Sequence, residues 1–203
     1  MNHFILGLLY FSVLPSFNCQ TIKIGKQIWS AENLNVNRFR NGDLIPQART
    51  SAEWIRAGKS RQPAWCYYQN KDENGNKYGM LYNWFAVQDE RGLAPAGWHI
   101  PTDDEWIILE NHLASIVGVK DTVMVGFEDE IVLFTNNLDG LPAGMRFDNG
   151  VFQMIRRNGY WWSATEESSF TARCRSLNNR KGLIPRHHYY KEGGLSVRCI
   201  KDE

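Results

Sequence analysis

The clearest pattern of apolar and polar positions lies near the middle of the chain. Trp106, Leu109, Leu113 and Ile116 recur at alternating steps of three and four residues, which lays one apolar stripe along a helix of about four turns. Thr102 and Glu105 have the spacing of a capping box, in which the hydroxyl accepts from the third helical N–H and the carboxylate returns to the cap's own N–H. Pro101 closes off Gly97-Trp98-His99-Ile100, a buried-strand pattern. The sequence thus predicts one main helix over about 102–116, entered directly from a strand and packed on a sheet. Asp103, Asp104 and Glu105 read as acids favoured by the helix dipole in the first turn rather than as catalytic or metal-binding groups.

Elsewhere the periods are shorter. Thr21-Ile22-Lys23-Ile24 and Gln27-Ile28-Trp29 alternate around Gly25-Lys26, a pair suited to a two-residue II′ hairpin. Ser51 to Ala57 is an amphipathic piece stopped by Gly58, and Ala64 to Tyr68 is strand-like. Asn74-Gly75 marks a tight turn within 71–76. The alternate Asp72, Asn74 and Asn76 resemble a calcium loop, but the glycine comes one place early and no glutamate follows at the twelfth position. Leu81 to Val87 reads as a buried helix of one or two turns, and Val117 to Phe134 carries no assignment. From Leu141 onward the strands at 159–163, 172–177 and 195–200, separated by Gly- and Asn-rich turns, predict an antiparallel sheet. The class is α+β.

Composition narrows this further. A chain of 203 residues suits a single domain with a short leader, and eight tryptophans supply the apolar surface of a folded core. A net charge of +1, with acids and bases interspersed, lacks the one-sided basic footprint of nucleic-acid binding. Residues 4–14 form an apolar run about the length of a signal-peptide core and too short to span a bilayer. Residues 1–19 are therefore read as a removed export signal or, with Cys19 carrying lipid, as a lipoprotein leader, which leaves 20–203 as the domain. Export makes disulfide candidates of Cys66, Cys174 and Cys199, which allow one bridge among themselves. None shows the close spacing of a zinc or redox motif, so no metal and no cofactor are expected.

The strongest functional signal is aromatic. Adjacent strand residues face opposite ways, so Trp161-Trp162, Tyr67-Tyr68 and Tyr189-Tyr190 cannot all fill one core; the alternative for each ring is burial under a second layer of loops. Exposed rings beside Asn178, Asn179, Arg180 or Arg186 would suit sugar recognition, which needs a flat apolar face and convergent hydrogen-bond partners. The ligand-binding candidates are Trp161, Trp162, Asn178, Asn179, Arg186, Tyr189 and Tyr190. His187-His188 reads as surface-facing, since adjacent strand positions converge poorly on a metal. Adjacency of Glu166 and Glu167 does not provide the separation that glycoside hydrolysis needs. Ser163 lacks the Gly-x-Ser-x-Gly turn of a hydrolase, and Arg198 reads as a buried arginine awaiting an acid. No catalytic residue is assigned.

Five blocks resemble the Fibrobacter succinogenes major paralogous domain, in family order: Ile22 to Leu34, Tyr78 to Trp84, Gly97 to Thr102, Gly159 to Ser163 and Ser196 to Cys199. The resemblance implies an exported bacterial protein, often a lipoprotein, of no established biochemical activity. More remotely, Ile100 to Trp106 and Leu195 to Cys199 resemble the formylglycine-generating enzymes and the C-type-lectin-like fold. That likeness implies twisted antiparallel strands, one main helix and long ordered loops. The enzymes' closely spaced copper-binding cysteines have no counterpart here, and the family pattern favours Cys66 paired with Cys199. The expected function is a non-catalytic module, secreted or on the bacterial outer surface, that binds carbohydrate or a cell-surface protein and meets the membrane only through a lipid anchor. The alternatives are a divergent enzyme related to the formylglycine-generating group and a structural envelope or matrix protein.

Overall fold

The computed structural model describes residues 20–117, 142–178 and 185–203. The leader, Cys19, the unassigned stretch after the main helix and Asn179 lie outside them.

The predicted hairpin forms from β1 (Thr21–Ile24) and β2 (Gln27–Ser30). Gly25 takes φ +59° at the first turn position, where a II′ turn needs a left-handed residue. Helix α1 (Ser51–Lys59) begins with a capping box, Thr50 with Glu53. Strand β3 (Trp65–Cys66), a 3-10 turn (Tyr68–Asn70) and α2 (Asp72–Tyr78) follow. Helix α2 replaces the tight turn expected at Asn74-Gly75. The glycine is there for close approach instead: a Cβ at Gly75 would lie 2.2 Å from the Tyr67 ring. Strand β4 (Leu81–Tyr82) and α3 (Trp84–Val87) form the buried aromatic segment, with Asn83 capping α3 by accepting from Ala86 N.

Strand β5 (Trp98–His99) leads into α4 (Asp103–Val117), the predicted main helix. Its capping box is present: Thr102 N donates to Glu105 Oε2 at 2.7 Å and Glu105 N to Thr102 Oγ1 at 3.3 Å. Trp106 and Leu109 of the apolar stripe are buried, and Leu113 packs beside them. The remaining strands are β6 (Met145–Arg146), β7 (Phe152–Gln153), β8 (Asn158–Glu166), β9 (Thr171–Asn178), β10 (Arg186–Tyr190) and β11 (Ile200–Lys201).

The architecture is mixed α+β, with few helices and several small antiparallel sheets. One sheet runs β1-β2-β11-β5, so the closing strand inserts between the opening hairpin and the strand that precedes α4. A second runs β10-β9-β8, and two-stranded pieces pair β3 with β4 and β6 with β7. The main core gathers Trp65, Tyr82, Trp84, Trp98, Trp162 and Val197; a second cluster joins Trp29, Trp106, Leu109 and Trp161 under α4. A third surrounds Trp54 and Cys66. Among the described residues no helix is long and apolar enough to cross a membrane.

The expected Cys66–Cys199 bridge is not formed. Cys66 is a buried free thiol in the Trp54 cluster, whereas Cys199 belongs to the main core. Arg198 is held by Ser30 O at 2.8 Å, by Ala31 O and by Asn33 Oδ1 at 2.9 Å, so backbone carbonyls take part in the role expected of an acid.

Candidate functional site

Trp161 and Trp162 point to opposite faces of β8, and both faces are covered. Trp161 lies under α4 and donates its indole N–H to Asn33 Oδ1 at 2.8 Å. Trp162 lies in the main core and donates to Tyr82 O at 2.8 Å. With 1% and 0% of their surface exposed, neither ring can meet a ligand, which corrects their place among the binding candidates. The physical reason is the second layer: α4 buries the face that a single core would leave open.

Of the other candidates, Asn178 ends β9 opposite Asn158. Arg186, Tyr189 and Tyr190 lie on β10, the outer strand of its sheet. The register sets Arg186 opposite Arg175, His188 opposite Arg173 and Tyr190 opposite Thr171, so these pairs share one face. Helix α4 covers the Arg175 end of that face through Asp103; further along, His188 and Tyr190 are exposed. Tyr189 faces the other way, half-buried, with its ring 6.1 Å from Phe147.

Phe170 completes this corner. It sits in the β8–β9 turn, where its carbonyl accepts from Lys191 N at 3.0 Å, directly beside Tyr190. Phe170 and Tyr190 are 62% and 56% exposed and, among the described residues, are the two exposed aromatic rings of the large apolar side chains. Around them lie the Ser168 and Thr171 hydroxyls, 2.8 Å apart, and the Glu167–Arg173 ion pair. Glu166 turns instead to the buried Lys191, whose ammonium lies 4.8 Å from the Trp84 ring centre. The adjacent carboxylates thus serve two separate cations. Sequence reasoning missed Phe170, although a lone aromatic closing the polar run Glu166-Glu167-Ser168-Ser169 is the signal that would have found it.

Beside the corner, the first turn of α4 does more than complement a dipole. Asp103, 4% exposed, accepts from Arg175 Nη1 at 2.6 Å and from Arg186 Nε at 3.2 Å, while Arg175 Nε also reaches Glu110. Burial opposes ionisation of Asp103, but the two guanidinium groups hold its carboxyl below the usual range. For Glu110 burial wins, and its pKa is raised despite Arg175. A second cluster centres on His99, whose Nε2 lies 2.7 Å from Glu105 and whose Nδ1 lies 2.7 Å from Asp202. Two carboxylate acceptors favour two N–H donors, the imidazolium form of the ring. Burial works against that charge, yet the carboxylates raise the pKa above its ordinary value.

Two of the buried thiols, Cys66 and Cys174, are inert by environment. Burial pushes Cys66 up to about 11 and Cys174 up to about 12, far from a reactive thiolate at neutral pH. Among the described residues no three His, Cys, Asp or Glu side chains converge to hold a metal ion.

The family model of the Fibrobacter succinogenes major domain matches residues 22–201. The chain belongs to that family. No curated protein and no solved structure matches it. The span of the Fibrobacter succinogenes major domain reaches from β1 to β11, so both ends of the four-stranded sheet and the whole Phe170–Tyr190 corner fall inside it.

Proposed function

We propose that this protein is a non-catalytic, exported bacterial surface module of C-type-lectin-like build that binds carbohydrate chains at the Phe170–Tyr190 corner. The observation that carries the reading is the pair of exposed aromatic rings at one sheet corner, edged by hydroxyls, His188 and the Glu167–Arg173 pair. Rings of this kind stack on the C–H face of a sugar while neighbouring polar groups take its hydroxyls. Among the described residues the other large exposed apolar side chains, Leu44, Ile108, Val151 and Met154, lie on other elements or loops. A protein interface asks for roughly 800 Å² per partner around an apolar centre, and a two-ring corner suits a sugar chain better. The buried, neutral Cys174 argues against an enzyme built on that residue. The apolar run at 4–14 supports export, and the blocks at 100–106 and 195–199 support the fold assignment.

A polysaccharide screen on the full chain tests the reading. Saturable binding weakened at least about tenfold in both Tyr190→Ala and Phe170→Ala, each with an unchanged melting temperature, is the expected result. Absence of binding to any polysaccharide, or binding indifferent to both substitutions, overturns it.

A further inference from the structure

Strand β10 offers more than the ring at its end. Ser176 N donates to Pro185 O at 3.3 Å and Lys191 N donates to Phe170 O at 3.0 Å, one position beyond each end of the β9–β10 register. Bonded residues alternate along an antiparallel ladder. Pro185, His187, Tyr189 and Lys191 therefore turn their backbone groups toward β9, and Arg186, His188 and Tyr190 turn theirs to the outer edge. Among the described residues no further strand pairs with that edge. Tyr190 O accepts from Gly193 N at 2.8 Å, which leaves the N–H and C=O of Arg186 and His188, and the N–H of Tyr190, facing outward. The same three residues carry their side chains on one face. His188 and Tyr190 are exposed, and the Arg186 side chain is 46% exposed and anchored on Asp103. From Tyr190 to Arg186 is four residues, a strip about 14 Å long at about 3.4 Å per residue, longer than a single sugar ring. Thr171 stands opposite Tyr190, and Arg173, paired with Glu167, stands opposite His188.

We infer that β10 binds the interior of an extended β-1,4-linked polysaccharide chain, laid along the strand from the Phe170–Tyr190 corner to Arg186. The inference rests on the corner being a sugar site. One sugar ring stacks at the corner, and the rings that follow meet polar groups. A sugar hydroxyl both donates and accepts, and the outer edge of β10 presents N–H and C=O groups in turn, beside the His188 ring. Edge backbone groups give affinity to extended ligands in this way, while the side chains between them give selectivity. Arg173 and Arg186 are held in place by Glu167 and Asp103, so little freedom remains for a ligand to remove. A flat sheet face with an open edge touches a chain along one side and does not enclose a chain end. A β-1,4 linkage keeps successive rings in line over such a face, whereas an α-1,4 linkage coils the chain away from it.

The test is a calorimetric titration of the full chain with β-1,4-linked glucose and mannose oligomers, from the dimer to the hexamer, and with α-1,4-linked maltohexaose. Affinity should rise at least about tenfold from dimer to hexamer in one β-1,4 series or both, and maltohexaose should bind at least about tenfold more weakly than that hexamer. Arg186→Ala and His188→Ala should each shrink the hexamer-to-dimer affinity ratio at least about threefold, whereas Tyr190→Ala should weaken every length. The His188 side chain is exposed, so His188→Ala serves alone if Arg186→Ala, which takes a partner from Asp103, does not fold. A hexamer that binds no tighter than the dimer, a ratio unchanged in a folded variant, or maltohexaose equal to the β-1,4 hexamer overturns the extended site. Where such binding is still lost in Tyr190→Ala, the corner itself survives. Absence of binding in both β-1,4 series also overturns the extended site, and the polysaccharide screen then judges the corner separately.

Discussion

Strands β8 and β10 flank the same central strand and carry the pairs Trp161-Trp162 and Tyr189-Tyr190, yet of these four rings Tyr190 alone is exposed. Trp161 and Trp162 are sealed between α4 and the main core, and each indole N–H has an acceptor. On β10 the Tyr189 face rests on the main core, while Tyr190 on the other face lies beyond the reach of α4. Strand β8 is further tied to the closing segment, with Trp162 N donating to Ser196 O at 3.0 Å. Residue type therefore says little about role; the layer above the strand decides it. Rings under a layer hold the fold, and rings outside it are available to a ligand.

The largest expected effect falls on the covered strand. Trp162→Ala should cost about 3–5 kcal/mol, the range for deleting a buried aromatic, because it leaves a cavity and removes one of the two bonds that the Tyr82 carbonyl accepts, the other coming from Leu195 N. Denaturant unfolding measures it. A variant of native stability that had lost polysaccharide binding would break the comparison and return the ring to a ligand surface.

Next comes the ion cluster that ends the covered region. Asp103→Ala leaves the fully buried Arg175 with Glu110, and should cost about 3 kcal/mol, the low end for breaking a buried pair. The sign with pH follows from the lowered Asp103 pKa. Its contribution is fully present above the ordinary aspartate value and is lost as pH falls through the lower folded value. The gap between wild type and variant should hold at neutral pH and close in strong acid; a gap that persisted there would mean that packing, not charge, supplies the effect.

How much of this was readable in the chain depends on distance along it. The capping box at Thr102 and Glu105 and the Trp106–Leu109 stripe are local, and the helix they predict is present. The II′ hairpin at Gly25 is local too. Helix α2 was hidden because Asn-Gly favours a turn in isolation, whereas here the packing of Tyr67 over Gly75 prevails. The role of Asp103 was hidden because its partners stand 72 and 83 positions away, while the helix dipole already explained an acid there.

A smaller effect belongs to the His99 latch between β5, α4 and Asp202. Because His99 is 39% exposed, solvent screening limits its contribution to under about 1 kcal/mol. Its raised pKa means that the contribution is present below the ordinary histidine value, near 6.5, and is lost as pH rises through the folded value. The lowered Glu105 pKa removes it again at the acid end. His99→Gln should therefore differ from wild type mainly around pH 5–6 and converge with it in mild alkali. A constant difference across that range would remove the charge argument.

The smallest effect on stability falls on the proposed binding corner. Tyr190→Ala removes an exposed ring whose neighbour Tyr189, 6.0 Å away, keeps its own packing, so stability should change by no more than about 0.5 kcal/mol. Polysaccharide affinity should nevertheless fall at least about tenfold, since a stacking ring carries most of what a flat sugar site offers. The two strands then separate cleanly: the same truncation unfolds the protein on β8 and disarms it on β10. If Tyr190→Ala instead destabilised the domain as Trp162→Ala does, the exposed face of β10 would be a packing surface after all, and the division between covered and available rings would lie elsewhere on the sheet.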